Sequence, residues 1–102
     1  MDTYKKLVKE LKKTYPEYSI SVRRLKIAKN TSGDCEKISK NKFRIRISKN
    51  ASEQEACDIL LHEYCHVLSW EEHEQGKTHG IVWGKKFSEV YRIYEKICDN
   101  IN

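Results

Sequence analysis

Residues 52–66 read SEQEACDILLHEYCH, and this stretch decides the fold of the chain. Ser52 followed by Glu55 is the pattern of a capping box, which predicts a helix that begins there and runs to about Trp70. Apolar positions cover a broad arc of this helix, so we expect it to be buried on most sides. The residues of the arc are Ala56, Cys57, Leu60, Leu61, Tyr64, Val67 and Leu68.

The same helix contains the motif HExxH. His62 and His66 are four residues apart, so their imidazoles leave the helix on the same side and can bind one Zn²⁺. Glu63, beside the first histidine, can reach a metal-bound water. Polar side chains on a mostly buried helix cost free energy unless something satisfies them. We therefore predict a zinc site in preference to a chance pair of histidines.

A catalytic zinc site normally has three protein ligands and a fourth position for water. The candidates for the third ligand are His73, His79, Glu71 and Glu72. Residues 71–78 are polar and are predicted to form an exposed loop. His79 lies four residues before Trp83 and continues the inward stripe of the last helix, if that helix begins there. We predict that His79 completes the site.

The last predicted helix has apolar residues at spacings of three and four, which indicate one buried face. These residues are Trp83, Phe87, Val90, Tyr94 and Ile97. Gly80 and Gly84 are also four residues apart, and we expect them to let this helix approach the metal-binding helix closely.

The first half of the chain is predicted to hold one helix and three strands. Apolar spacing indicates a helix from Asp2 to Tyr15, which Pro16 ends. Period-two alternation indicates a strand between Tyr18 and Ile27, with a bulge where the phase slips at Arg23 and Arg24. A hairpin turning at Lys40 and Asn41 joins a strand through 35–39 to another through 43–47. We predict a three-stranded antiparallel sheet, and hence an α+β fold.

Length and composition limit the class of protein. At 102 residues the chain has room for one domain, predicted to span 1–102, and 38% hydrophobic residues suffice for one small core. No apolar run is long enough for a bilayer span, and the N-terminus has no apolar signal core. The four cysteines contain no CxxC pair, which favours reduced thiols over disulfides. We expect a soluble cytoplasmic chain without a membrane partner.

Charge is divided unevenly along the sequence. Residues 1–50 hold 15 Lys or Arg and 5 Asp or Glu, a net charge of +10, whereas residues 51–102 hold 5 and 10, a net charge of −5. The basic half is compatible with a nucleic-acid partner, although lysines along a helix are also typical of a solvated face. The arginines that would contact nucleic acid are Arg23, Arg24, Arg44 and Arg46.

The second half resembles a known family. HEYCH at residues 62–66, a polar stretch, the pair His79 and Gly80, and then Trp83 and Phe87 on a helix resemble the SprT-like zinc metallopeptidases, with their HExxH motif, later HG motif and following aromatic residue. The resemblance covers 52 to about 94. Many relatives continue into a cysteine-rich zinc ribbon or a DNA-binding extension, which this sequence lacks.

The resemblance implies a small zincin-like domain that binds Zn²⁺ and acts as a zinc metalloendopeptidase. Its zinc ligands would be His62, His66 and His79, and Glu63 would be the general base that takes a proton from a zinc-activated water. The substrate would be a protein or peptide, added as a strand beside Phe43–Ser48. Arg44 and Arg46 would then flank the cleft, or they are solvent-facing charges that protect an edge strand. Two alternatives remain open, a non-catalytic zinc-stabilised domain and a basic nucleic-acid-binding module.

Overall fold

The computed structural model describes residues 2–76 and 78–101, which form an α+β fold as predicted. The elements in chain order are helix α1 (Asp2–Thr14), strands β1 (Ser19–Leu25), β2 (Gly33–Ser39) and β3 (Lys42–Ser48), and helices α2 (Glu53–Leu68), α3 (Trp70–Glu74) and α4 (Ile81–Ile101). None of these helices combines the length and the apolar character that a bilayer span requires.

The sheet is mixed, so the prediction of an antiparallel sheet is only partly right. Its strand order is β1-β3-β2, with β2 antiparallel and β1 parallel to β3. The predicted hairpin is confirmed, and Asn41 takes a left-handed φ of 60° in its turn. Period-two alternation shows which face a residue occupies but not which strand lies beside it.

Because β3 is the central strand, the proposed addition of a substrate strand to Phe43–Ser48 is wrong.

The predicted bulge in the first strand is also wrong. Strand β1 keeps an unbroken register with β3 from Ser19 to Leu25, and the irregularity lies in β2, between Lys37 and Ser39. The phase slip in the sequence has another cause, since Arg24 is a polar residue at an inward position. Its guanidinium donates to the carbonyls of the segment after β3 and lies 5.4 Å above the ring of Tyr4.

Helix α2 is the centre of the fold. It begins at the predicted capping box, in which Ser52 accepts from the amide of Glu55 at 3.2 Å and the Glu55 carboxylate accepts from the amide of Ser52 at 2.9 Å. The helix packs against β2 and β3 on one side and against α1 and α4 on the other. Each predicted residue of its apolar arc is buried. The core that surrounds it includes Leu7, Leu11, Ile20, Phe43, Ile45, Ile47, Val90 and Ile97.

The segment after α2 is less open than predicted. Part of the expected loop 71–78 is the short helix α3, which begins at Trp70 directly after Ser69. The last helix begins at Ile81, so His79 lies in the preceding turn and not in the helix. All four cysteines are free thiols, as predicted.

The outer face of the sheet carries arginines that are largely paired. Arg44 forms an ion pair with Glu36 at 2.6 Å, and Arg46 forms one with Asp34. Both pairs join neighbours across the antiparallel hairpin. Arg23 has no carboxylate partner among the described residues, whereas Arg24 is bound to backbone carbonyls. The predicted set of four arginines is therefore not one free basic surface.

Candidate metal centre

His62 and His66 lie side by side on α2. One turn of helix separates them, and their Nε2 atoms are 3.2 Å apart. Both side chains are half-buried, and the rings meet edge to face with centroids 4.9 Å apart. The helix therefore holds two imidazole nitrogens next to each other before any ligand binds.

His79 joins this pair from the turn before α4. Its Nε2 lies 3.3 Å from Nε2 of His62, and its ring centroid is 4.8 Å from that of His66. The residue is exposed and has a φ of 60°, which is uncommon for a residue other than glycine. The predicted three histidines are thus brought together, although the third arrives by a turn and not by a helical stripe.

Two of the three nitrogen separations match those of a tetrahedral metal site. With zinc–nitrogen bonds of about 2.0 to 2.1 Å, two tetrahedral ligands stand about 3.3 Å apart. The two measured separations from His62, 3.2 and 3.3 Å, match this value. All three ligand atoms lie within 4.8 Å of one another. Three imidazoles around one point suit zinc, and they leave a fourth position for water.

Burial keeps His62 and His66 in the neutral form that binds metals. Burial, and then the nearby rings of His62, His79 and His73, together lower the pKa of His66 to about 4. Burial and then His79 also lower the pKa of His62. Neutral imidazole has a free nitrogen lone pair, so His62 and His66 can bind a cation near neutral pH.

Glu63 is the buried carboxylate of the site. It is 9% exposed, and no hydrogen-bond or ion-pair partner reaches its carboxylate from the described residues. Burial and then the charge of Asp34 raise its pKa to about 7. Its methylene group packs near Gly33, since a Cβ on that glycine would lie 3.9 Å from Cγ of Glu63. A carboxylate beside the histidine cluster whose pKa is near neutral can accept and return a proton.

Comparison with known families agrees with this geometry. The model of the SprT-like family matches residues 1–101, which is almost the whole chain. The chain belongs to the SprT-like family. No curated protein and no solved structure matched it. The family match extends over the N-terminal helix and the sheet, whereas the motifs that suggested it lie between 52 and about 94.

The other predicted candidates for the third ligand of this SprT-like chain lie outside the cluster. His73 stacks on Trp70 with centroids 4.4 Å apart and stands 6.0 Å from the ring of His66. Glu71 is exposed on α3. Glu72 turns toward α4, where its Oε2 accepts from the amide of Val82 at 3.3 Å.

Around the cluster, the predicted inward position of Trp83 is confirmed, whereas the predicted role of the two glycines is not. Trp83 contacts the rings of His62 and His79, with centroids 5.3 and 4.8 Å away, as its place on the inward stripe suggested. Gly80 has a close neighbour, but a Cβ on Gly84 would meet nothing within 4 Å. The close neighbour of Gly80 is Glu72 of α3, so neither glycine serves the close approach to α2 that was predicted.

Two neighbours of Glu63 have no signal in the sequence. Asp34 and Cys35 belong to β2, and burial together with the charge of Glu63 raises the pKa of the Cys35 thiol to about 12. They approach Glu63 because β2 crosses α2. Residues of β2 and α2 are far apart along the chain, so their contact depends on the order of the strands in the sheet and not on local sequence patterns.

Proposed function

We propose that this SprT-like chain is a zinc-dependent endopeptidase, with His62, His66 and His79 as zinc ligands and Glu63 as general base. The observation that carries the proposal is the convergence of three Nε2 atoms beside a buried glutamate on the same helix. The arrangement has the parts of a catalytic zinc site, namely three protein ligands, space for a fourth, and a base next to it.

Glu63 favours catalysis over a purely structural metal. Three histidines can hold a zinc ion without a neighbouring carboxylate, and an unpaired buried carboxylate costs folding free energy. Its raised pKa of about 7 suits a group that exchanges protons at neutral pH. A chain in which the metal only joined α2 to α4 would gain stability by losing this residue.

The residues divide the work of peptide hydrolysis. When bound, zinc would activate a water molecule and polarise the carbonyl of the scissile bond. Glu63 would accept the proton of the attacking water and then donate it to the leaving amine. Trp83 packs against His62 and His79 and covers one side of the cluster.

An extended substrate would lie along β2. This strand is at the edge of the sheet, and its first residues pass beside Glu63. A peptide that adds to this edge would bring its backbone to the metal cluster. We expect peptide substrates with N-methylated backbone amides near the scissile bond to show a raised KM, because they cannot complete the ladder. An unchanged KM for a full set of such peptides would contradict this path.

The decisive experiment is a protease assay with Glu63→Gln. The substitution keeps the shape and removes the base, so we expect activity to fall by about 10² to 10⁴-fold while equimolar zinc is retained. Asp58→Asn, an exposed change on the same helix, is the matched control and should leave activity unchanged. Full activity of Glu63→Gln would refute the mechanism, and an inactive wild-type protein that binds zinc would favour the structural role.

A second candidate function is nucleic-acid binding, and one observation favours it. Helix α1 carries lysines that are all exposed, and none has a carboxylate within ion-pair distance in the described part of the chain. These residues are Lys5, Lys6, Lys9, Lys12 and Lys13. Free lysines along one helix can neutralise phosphates and release counterions, whereas the arginines of the sheet are mostly occupied.

Salt dependence tests this second candidate. We expect replacement of Lys5, Lys9 and Lys12 by serine to weaken DNA binding and to reduce the slope of log K against log salt by about one for each lost phosphate contact. Replacement of the paired Arg44 and Arg46 is the comparison and should change the slope less. No measurable binding of the wild-type chain at low salt would end the nucleic-acid hypothesis.

A further inference from the structure

The position of His79 has to be fixed by contacts that His62 and His66, held by helix α2, do not need. His79 lies outside any helix, is exposed, and has a φ of 60°. A residue with a side chain pays free energy in this conformation and keeps it only if the surroundings enforce it. The support must come from residues that fix the turn between α3 and α4.

The helix that follows the turn lacks a cap of its own. Gly80 is the N-cap of α4, because its carbonyl accepts the first helical hydrogen bond, from the amide of Gly84 at 3.0 Å. Glycine has no side chain to accept from the free amides of the first turn. The Glu72 carboxylate does so instead, since its Oε2 accepts from the amide of Val82 at 3.3 Å.

Glu72 and Gly80 also fit each other sterically. A Cβ on Gly80 would lie 2.6 Å from Oε1, 2.8 Å from Cδ and 2.9 Å from Oε2 of Glu72. Gly80 does not have a positive φ, so its backbone conformation does not require glycine. A side chain at position 80 would have to displace the Glu72 carboxylate from its place directly next to His79.

We propose that Glu72 is a positioning residue for the metal centre. Reaching across from α3, it caps α4, holds the turn at His79 and Gly80, and so aims the imidazole of His79 at His62 and His66. This role rests on the proposed zinc site and adds to it a residue that touches neither metal nor substrate. The carboxylate at the start of α4 is also favoured by the helix dipole.

Zinc affinity tests the role directly. We expect Glu72→Ala to weaken Zn²⁺ binding by about 10- to 100-fold, the range found when outer-shell partners of metal ligands are lost. Glu72→Gln, whose amide oxygen still accepts from Val82, should restore most of the affinity. Glu71→Ala, an exposed change on the same short helix, is the matched control and should bind Zn²⁺ as the wild type does.

A double-mutant cycle separates positioning from general stability. If Glu72 acts through His79, Glu72→Ala should have little further effect on Zn²⁺ affinity in a His79→Ala background. The absorption spectrum of the Co²⁺-loaded protein should change in the same direction for Glu72→Ala and His79→Ala, and less for Glu72→Ala, since the first variant loosens the nitrogen ligand that the second removes. Additive losses in the cycle would overturn the role.

Gly80 gives a second route to the same answer. Gly80→Ala places a methyl group against the Glu72 carboxylate, so we expect it to weaken Zn²⁺ binding when Glu72 is present and to add little to Glu72→Ala. Circular dichroism shows whether each variant is folded. If Glu72→Ala does not fold, Glu72→Gln takes its place in the comparison.

The outcomes distinguish this role from the function on which it rests. A wild-type chain that binds no Zn²⁺ refutes the zinc site itself. Tight Zn²⁺ binding that Glu72→Ala leaves unchanged, or that Glu72→Gln impairs as much as Glu72→Ala, overturns only the role of Glu72 as a hydrogen-bond acceptor. Neither result depends on peptidase activity.

Discussion

The cluster of His62, His66 and His79 is built from two regions, which hold their histidines in place by different contacts. Helix α2 presents His62 and His66 one turn apart, in a helix that is capped at its start and packed on both sides. His79 stands in a short exposed turn with a left-handed backbone. The first two ligands therefore need only the helix, whereas the third depends on contacts with α3 and α4.

Removal of the helical pair should have the largest effect. We expect His62→Ala with His66→Ala to abolish stoichiometric zinc, because His79 alone cannot hold the ion. The variant should also lose the rise in Tm that zinc gives the wild-type protein, since a ligand that binds only the folded state stabilises it. Metal analysis and thermal unfolding with and without zinc measure the two effects. Equimolar zinc in the purified double variant would disprove the ligand assignment.

Removal of the ligand in the turn should have a smaller but clear effect. We expect His79→Ala to weaken Zn²⁺ binding by more than the roughly 10- to 100-fold cost of losing an outer-shell partner, and to leave a weak two-histidine site. Competition with a chromophoric chelator measures the affinity.

His73→Ala is the control, because its ring stacks on Trp70 away from the cluster. A loss of zinc affinity in His73→Ala equal to that in His79→Ala would show that the turn rearranges and that His73 can ligate.

The buried base should make the metal-free protein sensitive to pH. Burial and Asp34 raise the folded-state pKa of Glu63 to about 7, above its ordinary value of about 4.3, so the folded chain binds more protons than the unfolded chain between these values. Glu63 therefore costs stability as pH rises through about 7. Glu63→Gln cannot ionise and should have a Tm several degrees above that of the wild type at about pH 8.

This difference should shrink as pH falls and disappear below the ordinary pKa of glutamate. Thermal unfolding of both proteins in the presence of a chelator across this range gives the comparison. If the wild type and Glu63→Gln differed by the same amount at every pH, the glutamate would not ionise differently in the folded state.

The cap of α2 should have the smallest effect. Ser52→Ala removes the acceptor for the amide of Glu55, and we expect a loss of about 1 kcal/mol in the free energy of unfolding with unchanged zinc affinity. Chemical denaturation measures it, with the exposed Ser88→Ala as control. A fall in zinc affinity would mean that the ligand pair depends on the far end of its helix.

The features that sequence patterns predicted well are local ones. The limits of α1 and the start of α2, the buried arc of α2, and the position of the hairpin turn agree with the structure. Each depends on residues a few positions apart, for which helical or strand geometry fixes the neighbours. The parallel pairing of β1 with β3 and the central place of β3 depend on how distant segments pack, which alternation does not encode.

The sequence by itself determined that His62 and His66 leave a buried helix on the same side, with Glu63 next to the first of them, because residues four apart nearly align at a period of 3.6 residues. It also suggested His79, although this residue lies in the turn before α4 and not on the helical stripe used to select it. Only the tertiary structure decided how His79 reaches the pair, why Gly80 stands beside Glu72, and that β2 is the strand next to Glu63. These contacts join segments that are far apart in the sequence. They meet because α2 packs between the sheet and the helices α1 and α4, and no short stretch of sequence specifies that packing.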